Sequence, residues 1–163
     1  MGSDFHQQPN FLKGRSAEVA TAQILKQRGW HVIPSYDYSG EDGKKAPKLE
    51  GSSRSHIIPD LDVSKEGARL WIEVKTKSHA ILRRVTQCLE HGIEYRHWKD
   101  YLEVQRITNT QVWLFIHEED TGDILFQSLT ELAQDARVYE GNRMGRGGMV
   151  FFKRSAFRHI TPV

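Results

Sequence analysis

Apolar and polar residues alternate along Leu70-Trp71-Ile72-Glu73-Val74-Lys75-Thr76. Side chains two apart on a strand share a face. Glu73 and Lys75 therefore lie on one side, while Ile72 and Val74 pack into a core. Ile57 to Val63 is a second short apolar segment, carrying Asp60 and Asp62, and Ser64-Lys65-Glu66-Gly67 joins the two as a hairpin turn. Upstream, Ala17, Ala20, Thr21, Ile24 and Leu25 recur at helical spacing, predicting a helix over 14–28 that Ser16 caps and Gly29 stops. Trp30 to Pro34 reads as a strand. A second principal helix is expected over 95–108, ended by Asn109-Thr110. Val112 to His117 is apolar enough for a central strand, with Ile124 to Gln127 as its partner. Ser128 or Thr130 caps a short helix reaching Ala136, and Met149 to Phe152 is a last strand. The summed order predicts an α/β fold, a mixed sheet flanked by helices.

Two stretches lack this clarity. Residues 39–56 hold three glycines, a proline, serines and several cations with no period, and predict a basic loop. Residues 77–94 mix Ile81, Leu82 and Val85 with Lys77, Arg83 and Arg84, and read as an insertion, helical or containing a helix. At 163 residues the chain is expected to be one domain spanning 1–163. A net charge of +2 decides nothing about nucleic acid, because a local patch matters more than the total. The single cysteine, Cys88, excludes a disulfide framework and a Cys-rich zinc site. With no signal peptide in the first residues and no membrane-length apolar run, the expected setting is intracellular, in the cytoplasm.

Candidate chemistry centres on Pro59-Asp60 and, after twelve intervening residues, Glu73-Val74-Lys75. Asp60 and Glu73 supply hard oxygen ligands suited to Mg²⁺ or Mn²⁺. The Val74 carbonyl adds an uncharged oxygen, and Glu18 on the first helix can join directly or through water. Lys75 can orient a water or stabilise charge on a phosphate. Acid-x-lysine on a strand is also an ordinary solvated ion pair of little energetic value. Pro59-Asp60 and Glu18 are what turn it toward catalysis, with Asp62 competing with Asp60 for the same face. The histidines are scattered without metal-binding spacing.

In this order the residues resemble the PD-(D/E)xK nuclease superfamily, whose members include restriction endonucleases, archaeal Holliday junction resolvases and phage nucleases. The matching positions are Glu18 within Gly14-Arg15-Ser16-Ala17-Glu18, the pair Pro59-Asp60, and Glu73-Val74-Lys75. The resemblance implies a restriction-endonuclease-like core over about residues 11–117, divalent-metal catalysis and DNA as substrate. It also implies a glutamine or tyrosine on the following helix, for which Tyr101 and Gln105 are candidates; Gln87 competes if 80–91 is that helix. Lys44, Lys45, Lys48, Lys77, Arg83, Arg84, Arg96, Arg143 and Arg146 can line a phosphate track, and no base-reading motif is visible. The expectation is an endonuclease acting at a junction, flap or nick. Paired cuts need two sites, which a homodimer would supply, though the sequence alone does not show one. The competing readings are a non-catalytic nucleic-acid-binding module on the same fold, and an exonuclease or RNA-directed enzyme.

Overall fold

The computed structural model describes residues 9–34, 47–139 and 147–160. Helix α1 (Pro9–Gln27) leads into β1 (His31–Pro34), and a short hairpin follows, β2 (Lys48–Glu50) with β3 (Ser55–Ile57). Next come β4 (Leu61–Lys65), β5 (Ala68–Lys77), β6 (Ile81–Arg83), β7 (Cys88–Glu94) and helix α2 (Tyr95–Thr108). The remainder is β8 (Val112–Glu118), β9 (Ile124–Ser128), α3 (Leu129–Leu132), β10 (Arg137–Tyr139), β11 (Met149–Lys153) and β12 (Arg158–Ile160). The main sheet has the order β1-β4-β5-β8-β9-β12 and is mixed: β5 and β8 run parallel and the other pairs antiparallel. A second, antiparallel sheet has the order β10-β11-β7-β6. Among the described residues no helix is long and apolar enough to cross a membrane.

Two buried clusters cover the two faces of the main sheet. Ile72 and Val74 of β5 join Ala17 and Leu25 of α1, Leu61, Val63 and Phe115 on one face. On the other, Trp71, Leu114 and Ile116 meet Trp98, Tyr101 and Val104 of α2, with Ile93, Val150 and Phe152 from the second sheet. Burying each large aliphatic side chain contributes roughly 1.5–3 kcal/mol. This fixes the register of β5, because a one-residue slip would exchange its two faces. The β4–β5 turn, Glu66-Gly67, has both φ angles positive, at 48° and 84°, as a two-residue hairpin of this hand requires.

Several expectations need correction. Helix α1 begins at Pro9 rather than Gly14; proline is preorganised for a first helical position, and Ser16 is inside the helix. The stretch 39–56 is not all loop, since β2 and β3 pair within it and Leu49 and Ile57 pack against the α2 side of the core. Residues 35–46 lie outside the described residues. Ile57 to Val63 is not one strand: pairing stops after Ile57 and resumes at Leu61, with Pro59, which has no N–H to donate, in the gap. The 77–94 insertion is a β-hairpin, not a helix. Leu82 faces Leu89 across it, and Gln87 takes a left-handed φ of 53° in its turn. The short helix after Ser128 has four residues, and Arg137–Tyr139 forms an additional strand.

Candidate active site

The antiparallel ladder between β4 and β5 ends at the pair Leu61 and Ile72. Beyond it the Val74 N–H, pointing toward β4, has lost its strand partner. Asp60 replaces it: Asp60 Oδ2 accepts the Val74 N–H at 2.8 Å. The break at Pro59 thus turns a carboxylate into the end of the ladder. Asp62 is differently placed, gripped by Arg69 through two hydrogen bonds of 2.9 and 2.7 Å. Of the two aspartates, it is Asp60 that stands beside the charges of Glu73, Lys75 and Glu18.

Glu73 is 1% exposed. Its Oε1 pairs with Lys75 Nζ, and Lys75 remains partly open to solvent. Its Oε2 is buried and receives no hydrogen bond among the described residues. A buried carboxylate oxygen without a donor is costly unless a cation meets it. The Asp60 carboxyl is pushed well above the usual range, first by burial, then by Glu73 and Glu18; Lys75 and the Val74 N–H oppose this. Glu18 is half-buried on α1 and reaches Asp60 through its field.

Lys75 and Lys77 line a cavity of about 610 Å³ with Ile93, Glu94, Arg96, His97 and Gly147 to Met149. Two chain segments meet here because a hairpin leaves and returns at one place: β5 exits at Lys77, and β7 brings Glu94 back beside it. Burial and then Lys75 hold the Lys77 ammonium below its ordinary pKa, with Glu94 opposing. His97 is lowered by burial first and Lys75 second, against Glu94 and Glu73. Burial raises Glu94, but Arg96, His97 and Lys75 together bring it below the usual carboxylate value.

The other candidates separate. Tyr101 is buried on α2, its ring 5.9 Å from that of His97. Gln105 is not brought to Lys75. Its Oε1 accepts the Val112 N–H at 2.9 Å and its Nε2 donates to Thr130 Oγ1 at 3.2 Å. Val112 lies opposite Trp71, four residues or about 13 Å of strand from Lys75. Gln87 donates to the Arg84 carbonyl in the β6–β7 turn. Among the expected phosphate contacts, Lys77 and Arg96 are at the cavity. Arg83 lies over the Phe151 ring, Arg84 is exposed in the turn, and Lys48 is exposed on β2. Lys44, Lys45, Arg143 and Arg146 fall outside the described residues. Trp98 is buried in the core, and Lys99 Nζ sits 4.7 Å from the centre of the Tyr95 ring. His97 and Glu94 were not singled out from sequence. Reading 77–94 as a hairpin would have found them, because its far end must come back to Lys77.

The donor set suits a small hard cation. Among the described residues, no three His, Cys, Asp or Glu side chains stand close enough to hold an ion by themselves. Asp60 and Glu73 supply two carboxylates, which matches Mg²⁺, an ion that keeps several waters and takes one or two carboxylates.

No family model and no curated protein matches the sequence. Among solved structures, the chain is similar to Hjc, a Holliday junction resolvase from the archaeal hyperthermophile Archaeoglobus fulgidus. The TM-score is 0.54 at 14% identity, over 88% of this chain and 91% of that one. It is also similar to D212, a nuclease from a fusselovirus, with a TM-score of 0.50 at 10% identity over 98% and 89%. At such identities the likeness speaks for architecture: this chain has the restriction-endonuclease-like α/β fold, a mixed central sheet flanked by helices.

Proposed function

We propose that this chain is a metal-dependent DNA endonuclease that hydrolyses phosphodiester bonds at junctions, flaps or nicks. The observation that carries this reading is the buried Glu73 carboxylate near Asp60, half without a donor and half engaged by Lys75, which itself lines a cavity with Lys77 and Arg96. Asp60, Glu73 and the Val74 carbonyl would hold Mg²⁺ or Mn²⁺, with Glu18 acting through water. Bound there, the ion supplies a more acidic water and a polarised phosphoryl oxygen. Lys75, fixed by Glu73, would orient a water or stabilise charge developing on the phosphate. Lys77 and Arg96 hold phosphate oxygens of the same strand. His97, neutral at neutral pH, accepts hydrogen bonds without adding charge. Tyr101 supports the His97 ring from the core side. Gln105 acts at a distance, by tying α2 to β8. The two solved neighbours, named as a resolvase and a nuclease, agree with this reading.

The test is cleavage of labelled duplex, nicked, flapped and four-way substrates with Mg²⁺, Mn²⁺ or a chelator. Cleavage should need the metal. Lys75→Ala and Asp60→Asn should fold and lose at least about a hundredfold in rate. Undiminished activity in chelator, or in Lys75→Ala, would sink the mechanism.

A further inference from the structure

By strand alternation, one face of the second sheet turns Ile93, Val150 and Phe152 into the core. Its other face carries Arg83, Arg137, Met149, Phe151 and Lys153 over Gly92, with Glu90 and Glu94 in the same register and Ile81 and Tyr139 exposed at its edges. Phe151 lies on bare backbone there: a Cβ at Gly92 would fall 2.8 Å from the ring, so only glycine lets the ring settle. Arg83 Cζ stands 4.3 Å from the centre of the same ring, and Arg137 Cζ 5.7 Å. Arg137 is committed to Glu90 at 2.6 Å. Among the described residues, Arg83 is held by the ring and by no salt bridge. Met149 belongs to this face and also lines the cavity of Lys75 and Lys77. The surface is therefore continuous from the cavity to the β6 edge.

Its chemistry is specific. Arg83, Arg137 and Lys153 stand around an aromatic ring and a methionine, with Glu90 buried beneath and paired to Arg137, and with Lys153 3.9 Å from Asp135. Unstacked bases bind such surfaces by lying on aromatic rings or guanidinium planes, while their phosphates meet cations. Intact duplex keeps its bases stacked inside and could use only the charges. Exposed Ile81 and Tyr139 lie at the edges of this face rather than beside the Arg83–Phe151 pair, and a second copy of the chain seated on them is the outcome that light scattering separates.

We propose that this face, at Arg83 and Phe151, binds single-stranded DNA adjoining the bond to be cut, with bases on that pair and phosphates toward Arg137 and Lys153. The inference rests on the nuclease reading for its catalytic end, and names the substrate class as DNA with an unpaired segment beside the cut. Binding is measured with the full chain in chelator, by fluorescence anisotropy of labelled oligothymidine and of a blunt duplex. Arg83→Ala should weaken oligothymidine binding about tenfold, and Phe151→Leu comparably. Duplex binding should stay within about twofold, and Arg83→Ala should melt at the wild-type temperature. Unchanged oligothymidine affinity in Arg83→Ala would overturn the proposal. So would equal losses for single strand and duplex, or a shift from dimer to monomer in light scattering. If these affinities behave as expected and no substrate is cleaved, the nuclease reading fails and this surface stands.

Discussion

Asp60 and Glu73 are carboxylates buried side by side, and that has a cost that can be measured. The Asp60 carboxyl is raised above its unfolded value. Its native state therefore binds a proton more tightly than the unfolded chain does. Stability is greatest below the unfolded value and declines as pH rises through the folded one. Asp60→Asn keeps an oxygen for the Val74 N–H and removes the charge. In chelator at neutral pH the variant should be more stable, by about 1–2 kcal/mol, or several degrees in melting temperature. The gap should close in acid. Added Mg²⁺ should raise the melting temperature of the wild type more than that of the variant. A variant that melts lower at pH 7 would refute the crowding account. At this scale the sequence was informative where alternation decides: Glu73 and Lys75 do share a face. It left Asp60 and Asp62 level, because residues two apart are equivalent on an unbroken strand. The break at Pro59 separates them.

The elements are held together by polar ties that sequence patterns do not reveal. Glu118 at the end of β8 is 3% exposed. It accepts from Arg154 (2.6 Å), Thr121 (3.0 Å) and His91 of β7 (2.6 Å), so one carboxylate fastens the second sheet to the first. Arg154 most of all, then His91 and Thr121, hold it down to about 2, against burial. A depressed carboxylate stabilises above its unfolded pKa and ceases to as pH falls through the folded one. The contribution, about 3 kcal/mol, should vanish between roughly pH 5 and pH 2. Glu118→Gln should cost about that much at pH 7 and about half as much at pH 3, by denaturant titration at each pH. Gln105 makes the other tie. Gln105→Ala should lose about 1–2 kcal/mol by stranding the Val112 N–H, with kcat within about threefold of wild type. A folded variant with kcat down a hundredfold would place Gln105 in the chemistry after all. The helix α2 was legible because its buried residues repeat at helical spacing. The β6–β7 hairpin was not, since its strand of three residues is too short for any period to show.

For the whole molecule, the main sheet followed from strands that announce themselves singly, except its edge strand β12, which lies beyond the strand over 149–152 expected to be the last and is only three residues long. The second sheet did not, because β11 joins β7 from far along the chain and β10 is only three residues long. That sheet, with α2, walls the cavity, so the cavity side of the candidate site was the less readable half. Lys77 is the cation it leaves beside Lys75. Lys77→Met should weaken duplex binding at low salt and reduce the slope of log affinity against log salt by about one. An unchanged slope would mean that Lys77 meets no phosphate.

The tight β4–β5 turn has a kinetic meaning. It brings Asp60 to Glu73 and Val74 across a short loop, whereas Met149 reaches Glu94 only after dozens of intervening residues. Short loops close early and distant pairings wait. The acidic centre should therefore assemble before the walls of the Lys75 cavity. Pulse-labelled hydrogen exchange during refolding should find the Val74 amide protected ahead of those of β11.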